Sequence, residues 1–209
     1  MGLPILIIGK SGSGKSTSLR NFKENVGVIN VLGKPLPFKN TLPCAISDDY
    51  KSIKKIAVNS KSDSIVIDDA GYLMTNAFMR GHSTTGAGNA IFSFYNDIGD
   101  SFWDLIRFVV EKLPPNKIVY FFMHEEKNDF GEVKPKSIGK MLDEKVCIEG
   151  MFTIVLRCVL SDGKHIFKTQ SDGFDIAKTP MDMFPEEIEN DLKLVDDTIR
   201  DYYNLGGAK

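Results

Sequence analysis

The chain has 209 residues, 42% of them hydrophobic and 26% charged, with a formal net charge of −2, which predicts a single α/β domain over residues 1–209 with one full apolar core. That balance excludes a chain that is basic throughout, although it leaves local basic patches open. Three cysteines without a C-x-x-C pair (Cys44, Cys147, Cys158) and three histidines without zinc-ligand spacing (His82, His124, His165) exclude a disulfide framework and a zinc site, and predict buried reduced thiols.

In chain order, residues 5–8 are an unbroken aliphatic run that predicts a central parallel strand covered on both faces. The run lacks a basic leader and passes straight into a glycine loop, so it reads as a core strand rather than a signal peptide. Met1-Gly2 lacks the Ser or Thr that myristoylation wants at position six, where Leu6 stands. A helix is predicted over 15–25, a strand over 27–32, an irregular excursion with three prolines over 33–43 and a short strand over 44–46. Ser47, Asp48 and Asp49 offer caps for a helix reaching residue 59.

Residues 64–68 form a second apolar strand that ends in acid, followed by a helix over 71–80, a Gly/Ser/Thr-rich stretch over 81–88 and a helix over 90–113 stopped by Pro114-Pro115. A third core strand is predicted over 117–123, a polar loop over 125–138, a hairpin over 151–160 and 164–169 turning at Ser161-Asp162-Gly163, and a helix over 185–203. In that last helix Ile188, Leu192, Val195 and Ile199 recur at helical spacing, a core-facing stripe. No segment approaches the ~20 apolar residues that span a bilayer, so a soluble cytoplasmic chain is expected. Alternating strands and helices predict a doubly wound, mostly parallel sheet with a C-terminal β-hairpin and helix, and ligands at the carboxyl ends of its strands.

The chemistry begins at Gly9-Lys10-Ser11-Gly12-Ser13-Gly14-Lys15-Ser16, which meets G-x-x-x-x-G-K-[ST]. Such a loop turns backbone N–H groups inward around a phosphate without Cβ clashes, and the helix that follows adds its positive end. Lys15 is expected on the β- and γ-phosphates, Ser16 on Mg²⁺, and Gly9, Ser11, Gly12, Ser13, Gly14 and Thr17 around the nucleotide. Chance would produce the pattern in a chain of this length on the order of 1% of the time.

The acid strand Ser64-Ile65-Val66-Ile67-Asp68-Asp69 has the Walker B form, with Asp68 the expected metal ligand and Asp69 the expected base that orients water. Asp48 and Asp49 are the alternative base candidates, with helix capping as their structural use. The strand at 118–123 ends at His124, placed to sense a γ-phosphate, with Glu125 as second choice. Hydrolysis of this type also needs a completing cation, often from a neighbouring subunit. Lys136, Lys140, Arg157, Lys164 and Lys168 are the candidates, Lys168 foremost, and Lys164 and Lys168 share one side of a strand.

Together with Lys34-Pro35-Leu36-Pro37-Phe38, Ile67-Asp68-Asp69-Ala70-Gly71-Tyr72-Leu73-Met74, His124, Ile138-Gly139-Lys140-Met141-Leu142-Asp143, Glu149-Gly150-Met151-Phe152-Thr153 and Pro180-Met181-Asp182-Met183-Phe184, the loop makes an order of motifs that resembles bacteriophage-encoded AAA/RecA-like P-loop ATPases. These are the phage nucleotide-binding proteins grouped with single-strand annealing and recombination factors, and the resemblance runs over nearly the whole chain. It implies a RecA-like core, Mg²⁺-dependent ATP hydrolysis, a homo-oligomer in the bacterial host cytoplasm, and a role in phage DNA replication or recombination. The partners it implies are single-stranded DNA or a phage single-strand-binding or annealing protein. The residues themselves show no loop of interleaved aromatic and basic side chains for DNA; in 80–89 only Arg80 and His82 bring cationic potential. A small-molecule kinase and a non-hydrolysing nucleotide-dependent adaptor stay open as alternatives. A GTPase is disfavoured, because N-K-x-D is absent and Asn128-Asp129 lacks the intervening lysine.

Overall fold

A strand without polar residues must be covered on both faces. Residues 5–8 form the middle of β1 (Leu3–Gly9), and all four side chains are fully buried. The computed structural model describes residues 1–138 and 147–205. The other strands are β2 (Val26–Asn30), β3 (Cys44–Ile46), β4 (Ser64–Asp68), β5 (Ile118–Lys127), β6 (Val133–Pro135), β7 (Ile154–Ser161), β8 (Lys164–Lys168) and β9 (Glu187–Glu189). The helices are α1 (Tyr50–Asn59), α2 (Tyr72–Gly81), α3 (Asn89–Lys112) and α4 (Leu192–Tyr202).

Among the described residues these strands make one nine-stranded sheet in the order β3-β2-β4-β5-β1-β7-β8-β9, with β6 paired to β5. The six strands from β3 to β7 run parallel, and β8 and β9 close the edge antiparallel. Side chains alternate across the pleat. Leu6, Ile8, Ile65, Ile67, Val119 and Phe121 meet α1, α2 and α3 on one face. Ile5, Ile7, Val66, Tyr120 and Phe122 meet Leu19, Phe22 and the α4 residues Leu192, Val195 and Ile199 on the other. The expected α/β fold, a mostly parallel sheet wound on both faces with a C-terminal hairpin and helix, is the one found.

The register sets up the site. β5 lies between the glycine-loop strand and the acid strand, with Gly9 opposite His124 and Ile67 opposite Phe121. The loop, His124 and the acid pair therefore emerge from three adjacent strand ends.

Four local expectations are corrected. The segment after the loop is a 3-10 helix, Ser16–Asn21, not an α-helix to residue 25. There Ser18 Oγ caps the Lys15 carbonyl at 2.6 Å, Phe22 N bonds Leu19 O in the tighter i→i+3 pattern, and Asn25 turns the chain at φ 59°. Residues 125–135 are a hairpin rather than a loop: β5 runs on to Lys127 and pairs with β6. Asn128 shapes its turn by accepting from the N–H groups of Phe130 and Glu132, and Gly131 takes φ 89°. Residues 187–189 are a strand, so Ile188 packs from β9, and α4 begins after Asp191, whose carboxylate caps Lys193 N at 2.9 Å. Cys158 is buried as expected, but Cys44 and Cys147 are exposed.

Candidate functional site

Gly12 and Gly14 sit at φ 78° and 104°, conformations that side chains rarely adopt, so the loop needs glycine at both positions. Ser11, Gly12, Gly14, Lys15, Ser16 and Thr17 line a cleft of about 270 Å³, whose other wall carries Asp68, Asp69 and His124. Gly9 and Ser13 lie behind it. A Cβ on Gly9 would stand 2.5 Å from Ser13 Oγ and 2.6 Å from the Cys158 carbonyl. Ser13 Oγ fills that space, buried and without a hydrogen-bond partner among the described residues.

Lys15 is 6% exposed, and its ammonium donates to the Gly9 and Lys10 carbonyls at 2.7 and 2.9 Å. Burial lowers its pKa, opposed by Cys158, Asp69 and Asp68. Ser16 Oγ donates to Asp68 Oδ1 at 2.9 Å, joining the two residues expected at a metal. Burial raises the Asp68 pKa against the Ser16 hydrogen bond. A hydroxyl and a carboxylate are the hard oxygen donors that suit Mg²⁺, an ion that keeps several waters and takes further oxygens from phosphates. The residues fit the ion.

Asp69 is held at φ 60°, uncommon for a residue with a side chain. Its Oδ1 is 3.4 Å from His124 Nε2, and its Oδ2 is 2.6 Å from Lys34 Nζ. Burial pushes its carboxyl up, but hydrogen bonds from His124 and Lys34 outweigh that and bring it down to about 2. His124 rests edge-on against Tyr72, with ring centroids 5.8 Å apart.

The alternative bases are engaged elsewhere. Asp49 caps α1 by accepting from Ser52 N at 2.7 Å, and Asp48 is bound by Arg80 and Asn76 at 2.5 and 2.8 Å. Among the cation candidates, Arg157 grips Glu125 through two bonds of 2.9 and 3.1 Å and Asp175 at 3.1 Å, a buried brace between β5 and β7. Lys168 pairs with Asp172 at 2.9 Å and does not line the cleft. Lys164 borders a neighbouring hollow with Thr17, Arg20 and His165. Lys136 lines a cavity of about 620 Å³ beside His124, and Lys140 lies outside the described residues.

Two contributors were missed as site residues. Lys34 stands in the Lys34-Pro35-Leu36-Pro37-Phe38 segment, whose spacing assigns it no role. His165 lies on the hairpin that backs the loop, its Nδ1 donating to the Ser13 carbonyl at 2.6 Å beside the Cys158 thiol at 3.0 Å. Neither has a spacing signal, because each reaches the loop from a separate part of the chain.

A search among curated proteins returned no match. A family model described as an AAA domain matches residues 1–181. With a glycine loop and an acid strand end facing one cleft, the chain belongs to the AAA domain family of nucleotide-binding P-loop ATPases.

Proposed function

We propose that this chain is a Mg²⁺-dependent ATPase working as a homo-oligomer in bacteriophage DNA replication or recombination. The observation that carries the catalytic part is the 2.9 Å bond between Ser16 Oγ and Asp68 Oδ1, closed across 52 residues of chain inside the cleft that Lys15 also lines. The phage setting rests on the order of motifs from Lys34-Pro35 to Pro180-Met181.

Ser16 and Asp68 would hold Mg²⁺, which when bound would neutralise charge on the phosphate oxygens. Gly12, Gly14 and their neighbours cradle the phosphates, and Lys15 turns its ammonium to them. Asp69 orients the attacking water and takes its proton, and His124 fixes Asp69 and faces the terminal phosphate. The water oxygen bonds to the γ-phosphorus as the bond to the β–γ bridging oxygen breaks, and ADP leaves with that electron pair. Lys168, paired with Asp172 outside the cleft, is left without a part in these steps.

The cavity of about 620 Å³ beside His124, bordered by Lys10, Lys34 and Lys136, favours a second reading. In that reading an anionic small molecule accepts the phosphoryl group. ATP turnover by the wild type and Lys15→Ala, with and without single-stranded DNA, tests the first reading. Turnover that rises with DNA and falls at least ~10²-fold in the variant is expected. ATP binding without turnover would sink the ATPase reading and leave an adaptor. Label passing from ATP to a nucleoside monophosphate would establish the second.

A further inference from the structure

We infer that Lys34 supplies the completing cation from within the same chain, its ammonium passing from Asp69 to the terminal phosphate during hydrolysis. This rests on the ATPase reading above. It departs from the candidates read in the sequence, all of which lie after His124.

The first argument is the charge inventory of the cleft. Among the described residues that line it, the lysines are Lys15 and Lys34, and they face Asp68 and Asp69. A triphosphate entering there adds further negative charge, so both cations have an electrostatic task. Lys15 is buried and tied to two loop carbonyls. The Lys34 side chain is 60% exposed, while the carboxylate it holds is 9% exposed. Its ammonium can therefore be repositioned at little packing cost.

The second argument is how the backbone is anchored. Asn30, 4% exposed at the end of β2 and opposite Asp68, donates its side-chain amide to the Lys34 carbonyl. Gly33 turns at φ 68°, and Pro35 restricts the backbone of the residue before it. The Lys34 backbone is thus fixed beside the acid strand end, and a flexible four-carbon stem carries the charge. Lys34 borders both the cleft and the cavity beyond His124, so it stands at the boundary where a terminal phosphate would lie.

The third argument concerns Asp69. While Lys34 sits 2.6 Å from Oδ2, that oxygen is occupied and Oδ1 faces His124. Transfer of the ammonium to the phosphate frees Oδ2 to hold the attacking water and brings positive charge to where negative charge develops. Lys34 keeps its proton throughout. The bonds exchanged are those of the hydrolysis already written, with the water's proton going to Asp69. Of the cations considered in the sequence, Arg157 is committed to Glu125 and Asp175, and Lys168 to Asp172.

The test compares the full chain with Lys34→Ala and Lys34→Arg. Affinity is measured for ADP with Mg²⁺, then with aluminium fluoride added as a mimic of the transferring phosphoryl group, and kcat and KM are measured for ATP. Lys34→Ala is expected to bind ADP like the wild type, to lose most of the tightening that aluminium fluoride brings, and to lower kcat about 10²- to 10³-fold with little change in KM. Lys34→Arg is expected to recover part of both. A mixture of Lys34→Ala with Lys15→Ala chains should stay inactive; rescue would overturn action within one chain. Unchanged kcat in Lys34→Ala, or equal weakening of ADP and the aluminium fluoride complex, would overturn the inference and leave the ATPase reading standing. A wild type that binds neither ADP nor ATP would overturn both. Circular dichroism of each variant separates these outcomes from misfolding.

Discussion

Cys158 is 1% exposed, sandwiched between the carbonyl of Ser13, to which it donates, and the amide of Asn190, from which it accepts at 3.1 Å. Burial pushes its thiol up to about 11. Reaction with an alkylating agent needs the thiolate and access to it, and Cys158 offers neither near neutral pH. Iodoacetamide at pH 8 should therefore label Cys44 and Cys147 in the folded chain, and Cys158 only when urea is added. Peptide mass spectrometry reads this directly, and labelling of native Cys158 at the rate of Cys44 would refute the packing described. The same residue shows where sequence reading stops. Gly9 to Ser16 was legible because its residues act at fixed local spacing, and Asp68 because acid ending an apolar run is itself a local pattern. Lys34, Cys158 and His165 were not legible, since their value lies in contacts whose partners are set by the sheet. Asp48 and Asp49 were ambiguous for a related reason: an aspartate before a helix reads alike as cap and as base until its neighbours are placed.

At the scale of elements, α4 is fastened to the sheet by one acid within its apolar stripe. Asp196 Oδ1 accepts from the hydroxyls of Ser64 on β4 and Tyr120 on β5, at 2.5 and 2.8 Å. Its Oδ2 accepts from Arg200 Nε at 2.7 Å, and Arg200 also reaches Ser64 Oγ at 2.7 Å. Asp196→Ala would strand the fully buried Tyr120 hydroxyl and leave Arg200 without its carboxylate partner. A loss of about 3 kcal/mol is expected in urea unfolding, and about 1 kcal/mol for Tyr120→Phe, which removes donor and demand together. Equal effects of the two variants would contradict this account. The apolar stripe of α4 was visible as spacing, and its cap, Asp191, is a local signal. β9 was not visible: three residues, two of them glutamates, become a strand only because β8 offers an open edge. The 3-10 turn after the glycine loop was likewise mistaken for a longer helix, because its serine cap acts against a pattern that otherwise reads as helical.

For the whole molecule, the two apolar layers share one sheet, so neither can lose its packing while the other keeps its wall. Unfolding should accordingly be a single cooperative transition. Trp103, the chain's one tryptophan, is partly exposed on α3 with Arg107 over its ring and reports the surroundings of that helix, while far-UV circular dichroism reports all elements. The two signals are expected to give the same urea midpoint, and separated midpoints would show independent units. The fold was legible at this scale because strands buried on both faces must be apolar throughout, and 5–8, 65–67 and 118–123 are nearly so. Strand order was not legible. That β5 enters between β1 and β4 is decided by register and helix packing, and it is this order that puts His124 against Asp69.

The position of β1 also has a bearing on synthesis. Leu3 pairs with Ile118 on one side and Ile5 with Ile154 on the other, so both neighbours of this strand are made long after it. The His165 and Cys158 contacts that back the glycine loop come later still. A nascent chain emerging from the ribosome therefore carries a phosphate-binding motif before the elements around it, and the backing of the loop is complete only once the residues through His165 have emerged. Until β5 and then β7 emerge, the apolar strand presents open edges of the kind that chaperones engage.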